Sequence, residues 1–487
     1  MATIDSSIVN VALPHIRGAV GASIAEITWV SSAYIISMVL MMPLTGLLGA
    51  LFGQKRLYLG SLILFVIGSI LCGMASTLPL LIFFRVIQGI AAGSLQPSQQ
   101  AILRQTFPLE EQGMAMALFS SVIMIGPAIG PTLGGILTDN FSWPWIFYIN
   151  LPVGLMGIFM TWRNVIEPQD IREANEKKSH LLRKNLDWIG VLLLVFGVSA
   201  LQFLLEEGAG QDWTHSHGMV ILAILSASAL VLFVVRELQI PHPIIQFRLF
   251  QNRTYLSATL IGSLLFALLM GNMFLLPLYM QEILGLNATL SGLLLMPRSL
   301  AMIVVTPFVG RIYNHVSPAV LVGVGMVFFV VGNILLSHLT VQSSFYSITI
   351  PLLINGIGLS CLLVPLTTVA LTQISRHELS EAAGLSAFSR QIGSAFGLAF
   401  SAMLLTQFSM EARSGLASHV TGLRPEIVPQ GGNWLHGVAH QVEQQAMMIA
   451  FDKVFLLQGL LFLFALPLLY FLRMPLIMQK EALYVEQ

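Results

Sequence analysis

Runs of about 20 apolar residues recur along this chain, and they limit what it can fold into. A helix needs roughly 20 apolar residues to cross the hydrocarbon core of a bilayer. Charged residues make up only 9% of the 487 positions, whereas soluble domains carry roughly 25%. The sequence therefore predicts an all-α polytopic membrane protein with thirteen long spans, at 27–50, 57–75, 79–103, 114–138, 144–162, 188–206, 218–235, 255–281, 289–312, 319–338, 345–373, 384–407 and 453–472.

A shorter apolar piece, at 1–14, precedes these spans. At ~1.5 Å per residue, a helix of this length reaches about 21 Å, which is less than the ~30 Å of hydrocarbon. We expect it to be the outer half of a first span whose start lies upstream of Met1. The native protein would then have fourteen spans.

The distribution of Lys and Arg predicts the direction of the spans. When residues 51–56 are placed in the cytoplasm, 16 of the 23 basic residues fall on that side and 4 fall on the outer side. Cytoplasmic loops of membrane proteins carry such an excess of positive charge. The remaining 3 basic residues lie inside spans, and they are Arg85, Arg298 and Arg390.

Two polar segments stand out between the spans. Residues 163–187 are highly charged, and we interpret them as a solvated cytoplasmic linker. Residues 408–452 are interpreted as a long outer loop, whose histidines lack the spacing of metal ligands. Both cysteines of the chain lie in apolar runs. The sequence therefore predicts neither a metal site nor a disulfide framework.

The two halves of the chain repeat the same spacing of glycine, proline and polar residues. Gly46 recurs as Gly310 at an offset of 264, and Gly89 recurs as Gly356 at an offset of 267. Transporters are often built from such repeats, with the substrate path between them. We therefore divide the chain into an N-terminal six-helix bundle with an incomplete first span, a linker with two extra central spans, and a C-terminal six-helix bundle, at 1–163, 164–254 and 255–487.

Three motifs lie in the spans and in the order typical of one transporter family. They are residues 5–14 (DSSIVNVALP) in the first span, 85–93 (RVIQGIAAG) in the fourth and 126–135 (GPAIGPTLGG) in the fifth. Together they resemble the signatures of the major facilitator superfamily, in the fourteen-span drug:proton antiporter branch that includes the EmrB-type multidrug permeases. The resemblance identifies the third motif as the antiporter motif, a pliable seam formed by Gly126, Pro127, Gly130, Pro131, Gly134 and Gly135.

The gating loop after the second span departs from the family pattern. That pattern has a glycine, then Asp-Arg, then a second glycine and basic residues. Here Ala50 and Leu51 stand where the acid–base pair is expected. A gating contact through that carboxylate is therefore not expected. The residues of the pattern that this chain keeps are Gly46, Gly53, Lys55 and Arg56.

Asp5 is the one acidic residue that we place inside a predicted span and away from its ends. A carboxylate in a bilayer costs several kcal/mol unless it is paired or hydrated, and it tends to keep its proton. Such a group can load a proton from one side and release it when its surroundings change. Arg85 is the natural partner, because its equivalent in the second half is Leu352 and the scaffold does not require arginine there. We expect the two residues to couple transport to a proton gradient, and the alternative for Asp5 is a helix cap.

Other polar residues inside the spans are candidates for the substrate path. For the two arginines among them, the alternative is snorkelling toward lipid headgroups. For the amides, the alternative is hydrogen bonding between helices. The complete set of substrate-path candidates is Gln88, Asn272, Arg298, Asn355, Arg390 and Gln391.

An interior with little fixed charge and many Met and Phe residues predicts hydrophobic or amphiphilic substrates. The sequence has no HExxH, Walker lysine or GxSxG motif, so an enzyme is not expected. The resemblance implies proton-driven export of drugs by alternating access across a bacterial inner membrane. It implies no cofactor beyond the proton gradient, and a periplasmic adaptor with an outer-membrane channel as candidate partners. The alternatives are transport of an endogenous metabolite or fatty acid on the same fold, and a non-transporting scaffold or sensor.

Overall fold

The computed structural model describes residues 1–184, 187–208, 216–241, 243–419 and 434–472. These residues form sixteen α-helices: α1 (Ala2–Val20), α2 (Ile24–Phe52), α3 (Gln54–Gly73), α4 (Leu78–Thr106), α5 (Leu109–Asn140), α6 (Trp145–Tyr148), α7 (Asn150–Asn164), α8 (Gln169–Lys184), α9 (Trp188–Glu207), α10 (His217–Gln239), α11 (Arg253–Leu278), α12 (Ala288–Ile312), α13 (Pro318–Leu336), α14 (Phe345–Thr372), α15 (Leu379–His419) and α16 (Trp434–Leu463). Short 3-10 turns at Phe247–Gln251 and Leu466–Leu472 and a π turn at Tyr279–Ile283 accompany them.

Twelve helical stretches of the described chain are long and apolar enough to cross a membrane. α1 and α5 are two further long helices, of 19 and 32 residues, and they pack against each other. Large apolar side chains such as Phe159, Leu192 and Ile224 are exposed on the outer helix faces, where lipid takes the place of water. The protein is therefore an all-α, multi-pass membrane protein, and the count of fourteen spans stays a prediction.

α1 extends further than the apolar piece at 1–14. It continues through Pro14 to Val20, and Gly21 ends it in the left-handed conformation, with its N–H donating to the Arg17 carbonyl. Proline is tolerated inside membrane helices because neighbouring groups satisfy the freed backbone atoms. At ~1.5 Å per residue, the 19 residues of α1 reach about 28 Å.

Both polar segments are more helical than the sequence suggested. Residues 163–187 contain α8, which packs on α2, so the prediction of a purely solvated linker was wrong. Residues 408–452 are helical up to His419 and again from Trp434, and positions 420–433 lie outside the described residues. A low hydropathy indicates that a segment contacts water, but it does not exclude a helix. Glu, Lys, Gln, Ala and Arg all have high helix propensity.

The helices form two bundles with an extra pair beside them. α1–α7 pack together, α11–α16 pack together, and α9 lies against both α2 and α15 with α10 behind it. The repeat is visible in the packing, because Gly89 lies against the Tyr34 carbonyl and Gly356 lies against the Arg298 carbonyl, without room for a Cβ. The bundles meet where α5 contacts α12 and α14 and where α15 contacts α2 and α4. The predicted domain boundaries at 163 and 254 stay predictions.

Candidate functional site

A buried acid–base pair lies inside the N-terminal bundle. Asp5 on α1 is 0% exposed, and Arg85 on α4 is 1% exposed. Arg85 Nη1 donates to Asp5 Oδ2 over 2.6 Å. Buried charges are costly unless they are both paired and hydrogen-bonded, and this pair satisfies both conditions. The structure thus brings together the two residues that the sequence singled out.

Two amide side chains complete the surroundings of the Asp5 carboxylate. Its Oδ1 accepts from Gln88 Nε2 at 3.0 Å and from Asn150 Nδ2 at 2.9 Å. The Ser69 hydroxyl accepts from the same two amides, at 2.7 and 3.2 Å. The carboxylate therefore joins α1 directly to α4 and α7, and Ser69 of α3 is connected to it through the two amides.

The Arg85 guanidinium is held from several directions. Its Nε donates to the Val30 carbonyl of α2 at 3.0 Å, and its Nη1 also donates to Gln88 Oε1 at 2.7 Å. Its central carbon lies 4.0 Å from the ring centroid of Tyr34 and 5.7 Å from that of Phe147. Both distances are within the range of cation–π attraction. The cluster therefore fixes the guanidinium relative to α2 as well as to α1.

Four residues of this cluster escaped the sequence prediction, namely Ser69, Asn150, Tyr34 and Phe147. Small polar and aromatic side chains occur in many apolar spans, where they often only pack or hydrogen-bond between helices. Asn150 was the most conspicuous of the four in the sequence, because it is an amide inside the predicted apolar span 144–162.

A cavity of about 510 Å³ lies between the two bundles, a volume that suits a drug-sized ligand. α1, α2, α4 and α5 line it from one side, α11, α12, α14 and α15 line it from the other, and α9 completes the wall. Three of the predicted path residues are in this wall: Arg298, Arg390 and Gln391. The other three are buried within their own bundles instead: Gln88, Asn272 and Asn355.

The C-terminal bundle has no arginine at the position that corresponds to Arg85. The repeat offset of 267 between α4 and α14 places Leu352 there. The buried polar pair of this bundle consists of two amides, because Asn272 Nδ2 donates to Asn333 Oδ1 at 3.1 Å. Neither leucine nor an amide can titrate. The acid–base pair is therefore a property of the N-terminal bundle.

Glycines of the antiporter motif form the face of α5 that packs on α1. A Cβ added to Gly130 would lie 2.7 Å from the Ser7 side chain, and a Cβ added to Gly134 would lie 2.9 Å from the Ile8 carbonyl. Small residues at such positions let two helices approach closely. Since α1 also carries Asp5, this seam lies directly behind the acid–base pair.

The other residues of the motif differ in their surroundings. Gly126 faces Thr3 of α1 at close range, whereas Gly135 has open space around it and takes no part in the seam. The two prolines lie within α5, and their side chains are outside the described residues: Pro127 and Pro131.

Carboxylates from elsewhere in the chain reach the gating loop that lacks its own acid. Gly53, with φ of 85°, ends α2. The backbone N–H of the next residue, Gln54, donates to Glu167 Oε1 at 3.0 Å. Gly46 lies directly against Glu381 of α15, which leaves no room for a side chain. Glu381 also forms an ion pair with Lys178 of α8. The linker and the C-terminal bundle thus meet beside this loop.

We call the end of the molecule that carries Lys55 and Arg56 the basic end, and we predict that it is cytoplasmic. Lys55 donates to the Trp162 carbonyl at 3.0 Å, and Arg56 is exposed. The two bundles are joined at this end by reciprocal hydrogen bonds. Gln105 Nε2 donates to the Arg376 carbonyl at 3.2 Å, and Arg376 Nη2 donates to the Gln105 carbonyl at 3.1 Å. The bundles therefore contact each other directly at the basic end.

Known proteins share this architecture. A sequence profile described as the Major Facilitator Superfamily matches residues 1–398. The multidrug export protein EmrB of Haemophilus influenzae is 32% identical, over 98% of this chain and 94% of its own. The fatty acid resistance protein FarB of Neisseria gonorrhoeae is 29% identical over the same shares. The structure of the human organic anion transporter MFSD10 has a TM-score of 0.57 and 16% identity, over 95% of this chain and 96% of its own, which shows the fold alone.

Proposed function

Because the chain belongs to the major facilitator superfamily, whose members are transporters, we propose that it is a proton-driven exporter of hydrophobic or amphiphilic compounds, drugs among them. The observation that carries the proposal is the buried Asp5–Arg85 pair beside a cavity between two bundles. The relatives named for multidrug export and for fatty acid resistance support export as the direction of transport.

Asp5 is the group through which we propose that the proton acts. When it is ionised, it accepts hydrogen bonds from Arg85, Gln88 and Asn150. Protonation removes the ion pair and turns one carboxylate oxygen into a donor, so the present set of contacts cannot persist. The neighbouring Ser6 lines the cavity, and α1 therefore links proton loading to the ligand space.

We propose that transport occurs by alternating access, and the same arrangement supports this mechanism. The cavity lies between the bundles, and direct contacts join them at the basic end. Breaking those contacts and closing the opposite end would present the cavity to the other side of the membrane. Because α1 belongs to one of the two moving bundles, a change at Asp5 favours one arrangement over the other.

Proteoliposomes with an imposed pH gradient test the proposal. Wild-type protein should accumulate an amphiphilic dye against its gradient. Asp5→Asn preserves the size of the side chain but cannot titrate, so gradient-driven accumulation should be lost while dye exchange without a gradient persists. Glu411→Gln, which alters an exposed acid on α15, serves as the matched control and should behave like the wild type. Accumulation by Asp5→Asn at the wild-type rate would contradict the proposal.

The same vesicles separate the alternative functions. An exporter of an endogenous metabolite or fatty acid would show gradient-driven flux of that compound but none of the dye. A scaffold or sensor would show no proton-coupled flux with any compound tested. Both outcomes differ from the flux of several unrelated amphiphiles that a drug exporter should produce.

For location and partners, we propose a bacterial inner membrane and a periplasmic adaptor that leads to an outer-membrane channel. α15 has 41 residues, which at ~1.5 Å each reach about 60 Å, roughly twice the hydrocarbon thickness. Because α15 begins near the basic end, its far end projects on the opposite side, beside the start of α16. A photo-crosslinker at the exposed Arg413 should capture the adaptor in cells, whereas the same group at Arg56 should not.

A further inference from the structure

We infer that the cavity contains an anion-binding subsite at Arg298, so that its preferred ligands are amphiphiles that carry a carboxylate or a similar organic anion. The inference deepens the proposed function and rests on it for the role in transport. Arg298 of α12 lines the cavity and is only 7% exposed. Within the part of the chain that the structure describes, its guanidinium has neither a hydrogen-bond partner nor an ion-pair partner.

The internal repeat shows how Arg298 differs from the other buried arginine. It occupies the position of Tyr34, because the backbone carbonyls of both residues pack against the glycine that the two halves share. In the N-terminal bundle, the guanidinium of Arg85 faces the Tyr34 ring and is neutralised by Asp5. In the C-terminal bundle, the guanidinium stands at the tyrosine position itself, and Leu352 occupies the position of Arg85. Arg298 lines the cavity, whereas Tyr34 does not, and no ion pair among the described residues neutralises Arg298.

A second guanidinium faces the same space. Arg390 of α15 is 9% exposed, donates to the Ser386 hydroxyl at 2.7 Å and lies 5.8 Å from the Phe266 ring centroid. Neither contact neutralises its charge. The acid in the cavity wall is Glu206 of α9, which accepts from Gln202 at 2.9 Å. The described wall thus carries two guanidinium groups and one carboxylate, an excess of one positive charge.

A ligand with one anionic group satisfies this arrangement. A guanidinium presents a planar fork of donors that matches a carboxylate, and a buried charge without a partner is costly. Much of the remaining wall is apolar and adaptable, as expected for an alkyl or aromatic body. It includes Met270, Met273, Phe274 and Leu398. The head group would thus lie at Arg298 and the body against the methionines and Phe274.

Direct binding measurements test the subsite independently of any gradient. The full chain is placed in nanodiscs of phosphatidylcholine, which supply no anionic lipid. Radiolabelled decanoate and decanol are the probes, because they share the chain length and differ in charge at pH 7.5. Arg298→Gln should weaken decanoate binding by about tenfold to a hundredfold, as expected for a charge-assisted contact, and should leave decanol binding unchanged. Arg298→Lys should retain part of the preference.

The binding measurement needs a matched control variant and a check that each variant folds. Arg311→Gln makes the same change at an exposed position of α12 outside the cavity and should bind both probes like the wild type. Size-exclusion chromatography shows whether Arg298→Gln folds. If it does not, Arg390→Gln and Arg298→Lys are measured instead, and each should weaken decanoate binding while leaving decanol binding unchanged. An unchanged ratio of decanoate to decanol binding in the folded arginine variants would overturn the inference. Loss of decanoate binding in nanodiscs with phosphatidylglycerol would also overturn it, because a lipid headgroup would then be the occupant.

The outcomes distinguish the two proposals. Decanoate binding through Arg298 without proton-driven export would refute the proposed function and leave the subsite standing. Proton-driven dye export together with decanoate binding that ignores both arginines would refute the subsite alone.

Discussion

The Asp5 carboxylate accepts hydrogen bonds from side chains of two other helices, and its partner Arg85 is tied to a third. The ion pair therefore fixes more than two side chains, because the guanidinium also donates to the Val30 carbonyl and to Gln88. A lysine could supply the charge at this position, but it has no planar fork of donors. Geometry and charge can thus be separated experimentally.

We predict that Arg85→Lys lowers proton-driven transport by at least about tenfold, since the ammonium keeps the charge near Asp5 but loses the bond to Val30. The measurement is dye accumulation in proteoliposomes with an imposed pH gradient. Arg163→Lys, which makes the same change at an exposed position in the last turn of α7, controls for the substitution itself. Transport by Arg85→Lys at the wild-type rate would mean that charge alone suffices.

Sequence reasoning found the charged residues of this site but not their neutral partners. Asp5 and Arg85 are conspicuous because charges are rare inside apolar spans. Ser69 and Asn150 are not conspicuous, since their role depends on which helices meet in space. The two cavity arginines were recognised as polar interruptions, but the absence of a counter-ion for Arg298 could be seen only in the structure.

At the scale of the helices, the seam between α1 and α5 depends on backbone approach at particular glycines. We predict that Gly134→Ala lowers the free energy of unfolding by about 1–3 kcal/mol, because its Cβ would press on the Ile8 carbonyl. Gly135→Ala, one residue away, has open space and should be neutral or slightly stabilising, since alanine favours a helix. Thermal unfolding of the purified variants measures the difference. Equal effects of the two substitutions would refute a specific seam.

The linker helix α8 joins the C-terminal bundle through Lys178 and Glu381, beside the gating loop. We predict that Lys178→Glu and Glu381→Lys each lower the free energy of unfolding, and that the charge-swapped double variant regains it. Because Glu381 is only 9% exposed, the coupling energy between the two substitutions should be about 1–2 kcal/mol. Thermal unfolding of all four proteins gives the coupling. The pair Arg172–Glu176 on the same helix is 67% and 68% exposed, so its swap should show almost none. Similar couplings in both pairs would contradict a buried contact.

The apolar runs predicted the long helices because length and hydropathy suffice for a spanning segment. They did not predict α8 or the helical parts of 408–452, because polar residues with high helix propensity look like loops on a hydropathy scale. Gly46 retained its place in the family pattern, whereas the carboxylate beside it comes from Glu381, more than 300 positions away in the sequence. A contact between residues so far apart in the sequence has no local signal.

At the scale of the molecule, the repeat predicted two bundles, and the structure shows how unequal they are. One bundle holds the acid–base pair and the other holds an amide cluster and the cavity arginines. The repeat could not show that Asn272 and Asn355 are turned into their own bundle, because spans that are apolar on every side give no periodicity to orient them. We interpret this difference as a separation of functions. The N-terminal bundle binds the proton, and the arginines of the C-terminal bundle bind the anionic group of the ligand.

In the proposed alternating access, the bundles move against each other, and a crosslink at the basic end should stop that movement. Gln105→Cys with Arg376→Cys places one thiol on each bundle where the native residues exchange hydrogen bonds. We predict that a reducible crosslinker between them lowers transport by at least about tenfold and that reductant restores it, because alternating access must open this contact. The single-cysteine variants control for labelling, and the native Cys72 and Cys361 are buried. Undiminished transport by fully crosslinked protein would show that the cavity exchanges its ligand without separating the bundles at this end.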